Sequence, residues 1–123
     1  MRVLLVKPRN LTAHFGLAPF FRTEPLGLEY IASALAAEGH EARIVDIAFE
    51  RRSLAHLLRD FQPQLVGISC LHILDVEGTL AHAAEIKAAD ASVFVAVGGH
   101  SIASYPQAVE GAKHIDAICS GEG

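Results

Sequence analysis

Cysteine, basic charge and long apolar runs are all scarce in this chain, and each shortage removes a class of function. Cys70 and Cys119 are the only cysteines among 123 residues. Two are too few for a disulfide framework, and they suit a reduced, cytoplasmic setting. Ten lysines and arginines stand against 14 aspartates and glutamates, a formal net charge of −4. The chain therefore offers no basic field to a nucleic-acid backbone, and Arg51-Arg52 is too small a patch to make one. The apolar run Leu4-Leu5-Val6 stops at Lys7-Pro8, too short for a signal peptide or a membrane span. The expectation is a soluble, cytoplasmic protein with neither nucleic-acid nor membrane partners. Apolar residues at 51% against 20% charged exclude a disordered chain and predict one globular domain over residues 1–123.

What is present is a regular alternation of strands and helices. Short apolar, β-branched runs at residues 3–6, 42–47, 65–69, 93–97 and 115–119 predict five strands, the fourth reading Val93-Phe94-Val95-Ala96-Val97. Between them, Leu28, Ile31, Ala32 and Leu35 recur at helical spacing, and Gly39 ends that helix. Ser53 caps a second helix with Leu54, Leu57, Leu58 and Phe61 on one face, broken at Gln62-Pro63. Asp75 is the expected cap of a third helix, along which Val76, Leu80, Ala83, Ala84 and Lys87 share a side. A short fourth helix is expected near residues 105–110, with Ser104 as cap and Pro106 in its first turn. Helices between successive strands imply right-handed crossovers and a parallel α/β sheet. The loop at residues 8–25 carries Phe15, Phe20 and Phe21, and a loop of that length is expected to cover something. After Gly121-Glu122-Gly123 a further segment is expected, since an open doubly wound sheet covers both faces.

Ligands of such sheets sit outside the carboxyl ends of the strands, and several classes fail there. The turn after the first strand reads Lys7-Pro8-Arg9-Asn10, with no Gly-x-Gly-x-x-Gly for a dinucleotide. Asp46, without those glycines, reads as a cap or surface residue. No P-loop occurs. Ser69 stands where a phosphate-accepting aspartate would end the third strand, and a flavodoxin-type Ser/Thr/Gly loop is missing. Cys70, His72, His100 and Cys119 all fall near strand ends and are of types that zinc accepts, though without Cys-x-x-Cys pairing. Ser69 has His72 and His100 as candidate bases but no Gly-x-Ser-x-Gly elbow. Neither metal nor catalytic residues are assigned. The fourth strand ends at Gly98-Gly99, a pair that serves either a turn or the close approach of another group to the backbone.

Ser69-Cys70-Leu71 and Gly98-Gly99 resemble the Ser-x-Leu and Gly-Gly elements of the cobalamin-binding fold. Pro25-Leu26-Gly27-Leu28-Glu29-Tyr30, Gly39-His40-Glu41, Val66-Gly67-Ile68-Ser69, Val97-Gly98-Gly99-His100 and Gly121-Glu122-Gly123 extend the likeness over essentially the whole chain. Together they are similar to the N-terminal domain of cobalamin-dependent radical S-adenosylmethionine enzymes, among them the anaerobic magnesium-protoporphyrin IX monomethyl ester cyclase and related methyltransferases. The resemblance implies a flavodoxin-like, doubly wound five-stranded parallel sheet of order 2-1-3-4-5, with cobalamin across the strand carboxyl ends. It implies cofactor-binding residues at Ser69, Cys70, Leu71, Gly98, Gly99, His100, Gly121 and Glu122. Ser69 would hydrogen-bond near the base of the cobalamin tail, Leu71 would pack on it, and the glycines would let the tail lie on the backbone.

One departure bears on cobalt. Classical corrinoid enzymes carry Asp-x-His-x-x-Gly after the first strand, with the histidine bound to cobalt from below. This chain has Lys7-Pro8-Arg9-Asn10 there, and His14-Phe15-Gly16 does not fit the spacing. The resemblance therefore implies cobalamin without a histidine lower ligand, in a module that is not catalytic by itself. The [4Fe-4S] cluster and S-adenosylmethionine would belong to a radical domain downstream in the same chain, whose Cys-x-x-x-Cys-x-x-Cys motif is not found in residues 1–123. The parent would methylate or cyclise its substrate. The alternative is a domain that keeps the fold without cofactor and serves docking or substrate gating.

Overall fold

The computed structural model describes residues 1–9 and 25–121. Five parallel strands, β1 (Arg2–Lys7), β2 (Glu41–Asp46), β3 (Leu65–Ser69), β4 (Phe94–Gly98) and β5 (Ala117–Ile118), lie in the order β2-β1-β3-β4-β5. This is the flavodoxin-like sheet. The helices are α1 (Leu26–Ala37), α2 (Leu54–Phe61), α3 (Val76–Ala89) and α4 (His100–Ser104). Among the described residues no helix is long and apolar enough to cross a membrane.

Period-two alternation divides each central strand between two cores. On one face Leu4, Val6, Val66, Ile68, Val95 and Val97 are almost wholly buried under α2, α3 and α4, which contribute Leu57, Phe61, Ala83, Ile86 and Ile102. On the other, Val3 and Leu5 pack with Leu28 of α1, and Ile31, Leu35, Ile44 and Leu65 close around them. The Ser53 hydroxyl caps α2 as expected, accepting from the His56 N–H at 3.2 Å. Gln62 then takes a left-handed conformation at φ 49° and ends the helix before Pro63.

Several expectations need correction. The fourth helix is not at residues 105–110: α4 starts directly after Gly99, and only a single 3-10 turn, Pro106–Ala108, follows. Five residues are too few to show a helical period, so that segment carried no readable signal. Asp75 precedes α3 but makes no side-chain cap; the ring of His72 instead accepts from the Leu74 N–H at 3.3 Å. On α3 the buried positions are Thr79, Ala83 and Ile86, with Val76 and Leu80 partly covered. Asp46 is no plain surface residue. Its Oδ1 accepts from the Ala48 N–H, a local cap as expected, while Oδ2 lies 3.0 Å from Nζ of Lys7, whose side chain is only 6% exposed. Register explains the pairing, since Lys7 and Asp46 are Cα partners at the ends of β1 and β2.

Candidate functional site

The two faces of the sheet are covered unequally. Helix α1 lies over β2, β1 and the near edge of β3, and beyond it the face of β3, β4 and β5 is open among the described residues. The result is a groove of about 360 Å³ running along the strands to their carboxyl ends. Its near wall is Leu28, Ile31 and Leu35 of α1; its far rim is Cys119 and Gly121; Ser69, Leu71 and Gly99 stand at the mouth.

The floor is built of small residues placed side by side by register. Gly67 is the partner of Ala96, and Ser69 is the partner of Gly98. A Cβ at Gly67 would come 3.0 Å from Cδ2 of Leu5, and one at Gly98 would come 3.1 Å from Cβ of Cys119. Side chains there would fill the groove. Gly67 and Ala96 were not singled out from the sequence. The available signal was the matching alternate position of the two small residues in β3 and β4, which becomes legible once the register is known.

Gly99 has a different reason to be glycine. Its φ is +111°, and a Cβ would fall within 2.5 Å of the Cys70 carbonyl oxygen. The ends of β3 and β4 are pressed together at this point, and the Cys70 N–H donates to the Gly98 carbonyl at 2.7 Å. Of the glycine pair, then, Gly98 opens the groove and Gly99 permits the backbone crossing beside it.

The remaining expected residues divide in the same way. Ser69 is half-buried in the groove, and its hydroxyl makes no hydrogen bond among the described residues. Leu71 is 49% exposed at the mouth, with Ile73 and Leu74 also exposed beyond it. Cys70 points the other way: its side chain is fully buried in the helix-covered core. Burial pushes its thiol above the ordinary value, partly offset by the nearby Thr79 hydroxyl. That hydroxyl is itself buried without a hydrogen bond of good geometry. His100 is exposed as the first residue of α4 and does not line the groove. Glu122 and His14 lie outside the described residues, as do Phe15, Phe20 and Phe21. The four candidate zinc ligands do not converge, and no three His, Cys, Asp or Glu side chains among the described residues are placed to hold a metal ion.

Chemically, the groove is a slot of carbon. Among the described residues, its side-chain polar groups are the Ser69 hydroxyl and, at the rim, the Cys119 thiol. Such a slot suits a flat, mostly apolar group that needs few hydrogen bonds. A second depression of similar volume lies at the opposite, amino edge of the sheet, lined by Arg59, Gln62, Gln64, Asp90 and Ser92 among others. None of the expected cofactor-binding residues lines it.

Comparison with known proteins agrees with this geometry. The sequence profile of the B12 binding domain matches residues 17–123. The hopanoid C-3 methylase of Methylococcus capsulatus is 33% identical over 128 residues, a match covering 100% of this chain and 24% of the methylase. The chain thus spans about a quarter of that relative's length. The crystal structure of a novel cobalamin-binding protein from Desulfitobacterium hafniense DCB-2 has the same fold, with a TM-score of 0.73 at 14% identity over 98% of this chain and 53% of that one.

Proposed function

The chain belongs to the B12 binding domain family, and from that premise we propose that it holds cobalamin with the nucleotide tail laid in the groove between α1 and the open sheet face. The small-residue floor carries the proposal: Gly67, Ala96 and Gly98 leave the room that a bulky side chain would take. Ser69 offers its hydroxyl to the tail base, Leu71 packs against it, and Gly121 stands at the far rim, with Glu122 the next candidate in sequence. Gly99 and Cys70 shape the mouth through their backbones, and His100 lies beside it in reach of the ligand's polar edge. When bound, cobalamin supplies a cobalt centre suited to carrying a methyl group.

In this reading, cobalt would take no histidine of this chain as its lower ligand. At the end of β1 the chain presents Lys7, and an ammonium in a salt bridge with Asp46 has no lone pair to give a metal. The likeness to the methylase supports a methyl-transferring parent. In that reading a radical S-adenosylmethionine domain of the same chain, with its [4Fe-4S] cluster, acts on substrate while this module presents cobalamin to it. Titration of the folded chain with hydroxocobalamin followed by desalting tests the proposal. A one-to-one coloured complex with the spectrum of cobalt lacking a nitrogen lower ligand is expected. Loss of all colour on desalting would overturn cobalamin binding, and a nitrogen-ligated spectrum would overturn the lower-face assignment.

A further inference from the structure

Resting on the cobalamin reading, we infer that Cys70 is a positioning residue: its buried thiol clasps the segment of residues 71–74 and holds it out at the mouth of the groove, where the ligand meets it. The need for a clasp is visible in the segment itself. Leu71, Ile73 and Leu74 are 49%, 47% and 59% exposed. Three large apolar side chains within four residues are costly to hold in water, and a slack loop would turn them inward.

What holds them out is polar and lies beneath, on the helix-covered side of the sheet. The Cys70 N–H is donated to the Gly98 carbonyl at 2.7 Å, which ties the main chain of residue 70 to β4. From that fixed point the thiol donates to the His72 carbonyl at 3.5 Å. The same carbonyl accepts the Asp75 N–H at 2.9 Å, and the His72 ring accepts the Leu74 N–H at 3.3 Å. His72 is therefore bonded both to the strand end and to the turn that leads into α3. The Thr79 hydroxyl, wholly buried near the start of α3, stands beside the sulfur. Cysteine is small and apolar enough for this core and still carries a donor, which no aliphatic side chain of its size offers. Ser69 and Leu71, its neighbours in the groove, are thus set in place by a side chain that faces away from them.

The test replaces Cys70 by serine, which keeps a donor, and by alanine and valine, which do not. Hydroxocobalamin affinity is read by absorbance titration, and amide hydrogen exchange is followed at residues 71–75. Cys70→Ala and Cys70→Val are expected to bind about threefold or more weakly than the original chain. Their Leu74 and Asp75 amides are expected to exchange faster. Cys70→Ser is expected to stay within about twofold in affinity and to keep the original exchange. A residue that only fills core volume gives the opposite order, because serine places a hydroxyl among apolar neighbours. Serine binding no better than alanine and valine, or unchanged exchange in those two, would overturn the positioning role and leave the cobalamin reading intact. If Cys70→Ala does not fold, the serine and valine variants decide between the two orders. If the original chain binds no cobalamin, both readings fall.

Discussion

The two faces of one sheet, built from alternate residues of the same strands, have opposite designs. On the helix-covered face the alternating residues are Val66, Ile68, Val95 and Val97, each at most 2% exposed and matched by side chains of α2, α3 and α4. On the groove face the neighbours in sequence are Gly67, Ser69, Ala96 and Gly98, all partly exposed. The first face derives stability from filled volume; the second, among the described residues, forms the floor of a groove. A parallel sheet whose strands look uniformly apolar can thus devote one side to folding and the other to a ligand.

Substitution separates the two designs. The largest effect is expected from Ile68→Ala, which removes a fully packed side chain from the covered face and should cost about 2–5 kcal/mol of stability in urea denaturation. A loss below about 1 kcal/mol would mean that this face is not the main core. One position over on the other face, Ala96→Leu should change stability by no more than about 1 kcal/mol, because the groove has room for it. Its effect belongs to the ligand: retention of cobalamin should fall at least about tenfold. An Ala96→Leu protein that binds as well as the original would place the tail elsewhere.

The smallest effect is expected at the seam between the faces, where Lys87 of α3 reaches across to Asp116 at 2.7 Å just before β5. The Lys87 hydrogen bond, helped by the Val95 N–H, holds the Asp116 carboxyl below its ordinary value of 3.8. A lowered folded-state value stabilises the native protein above the unfolded value, and that contribution disappears as pH falls through the folded one. Both side chains are partly solvated, so Asp116→Asn should cost within about 1 kcal/mol at neutral pH. The variant should also show a shallower loss of stability than the original protein below about pH 4. Parallel pH profiles for the two would remove the pair from the account.

Much of this arrangement is legible from residues alone. Apolar runs mark all the strands, within a residue or two at their ends, because the buried alternate residues of each central strand are flanked by small or apolar neighbours rather than by charged ones. Of the residues that the resemblance marks, Ser69, Leu71, Gly98, Gly99 and Gly121 line the groove, since they sit at strand ends, where chain direction already limits what they can face. Gly67 and Ala96 escaped notice because a small residue inside a strand looks like weak propensity until its cross-strand partner is known. The Lys7–Asp46 pair and the Cys70–Gly99 crossing escaped for the same reason: each joins segments 29 to 39 residues apart in sequence. Cys70 lay one residue from two groove residues and faces away from them, as strand alternation requires.

The pressed junction of Cys70 and Gly99 has a further consequence. Because the mouth of the slot is drawn by main-chain atoms, its outline does not depend on which rotamers the surrounding side chains occupy. Thermal motion of Leu71 or His100 can blur the rim without widening the gap between the two strand ends. A ligand edge resting there meets a surface as stiff as the sheet itself, and the entropy of ordering that edge is lost when the chain folds, before any ligand arrives.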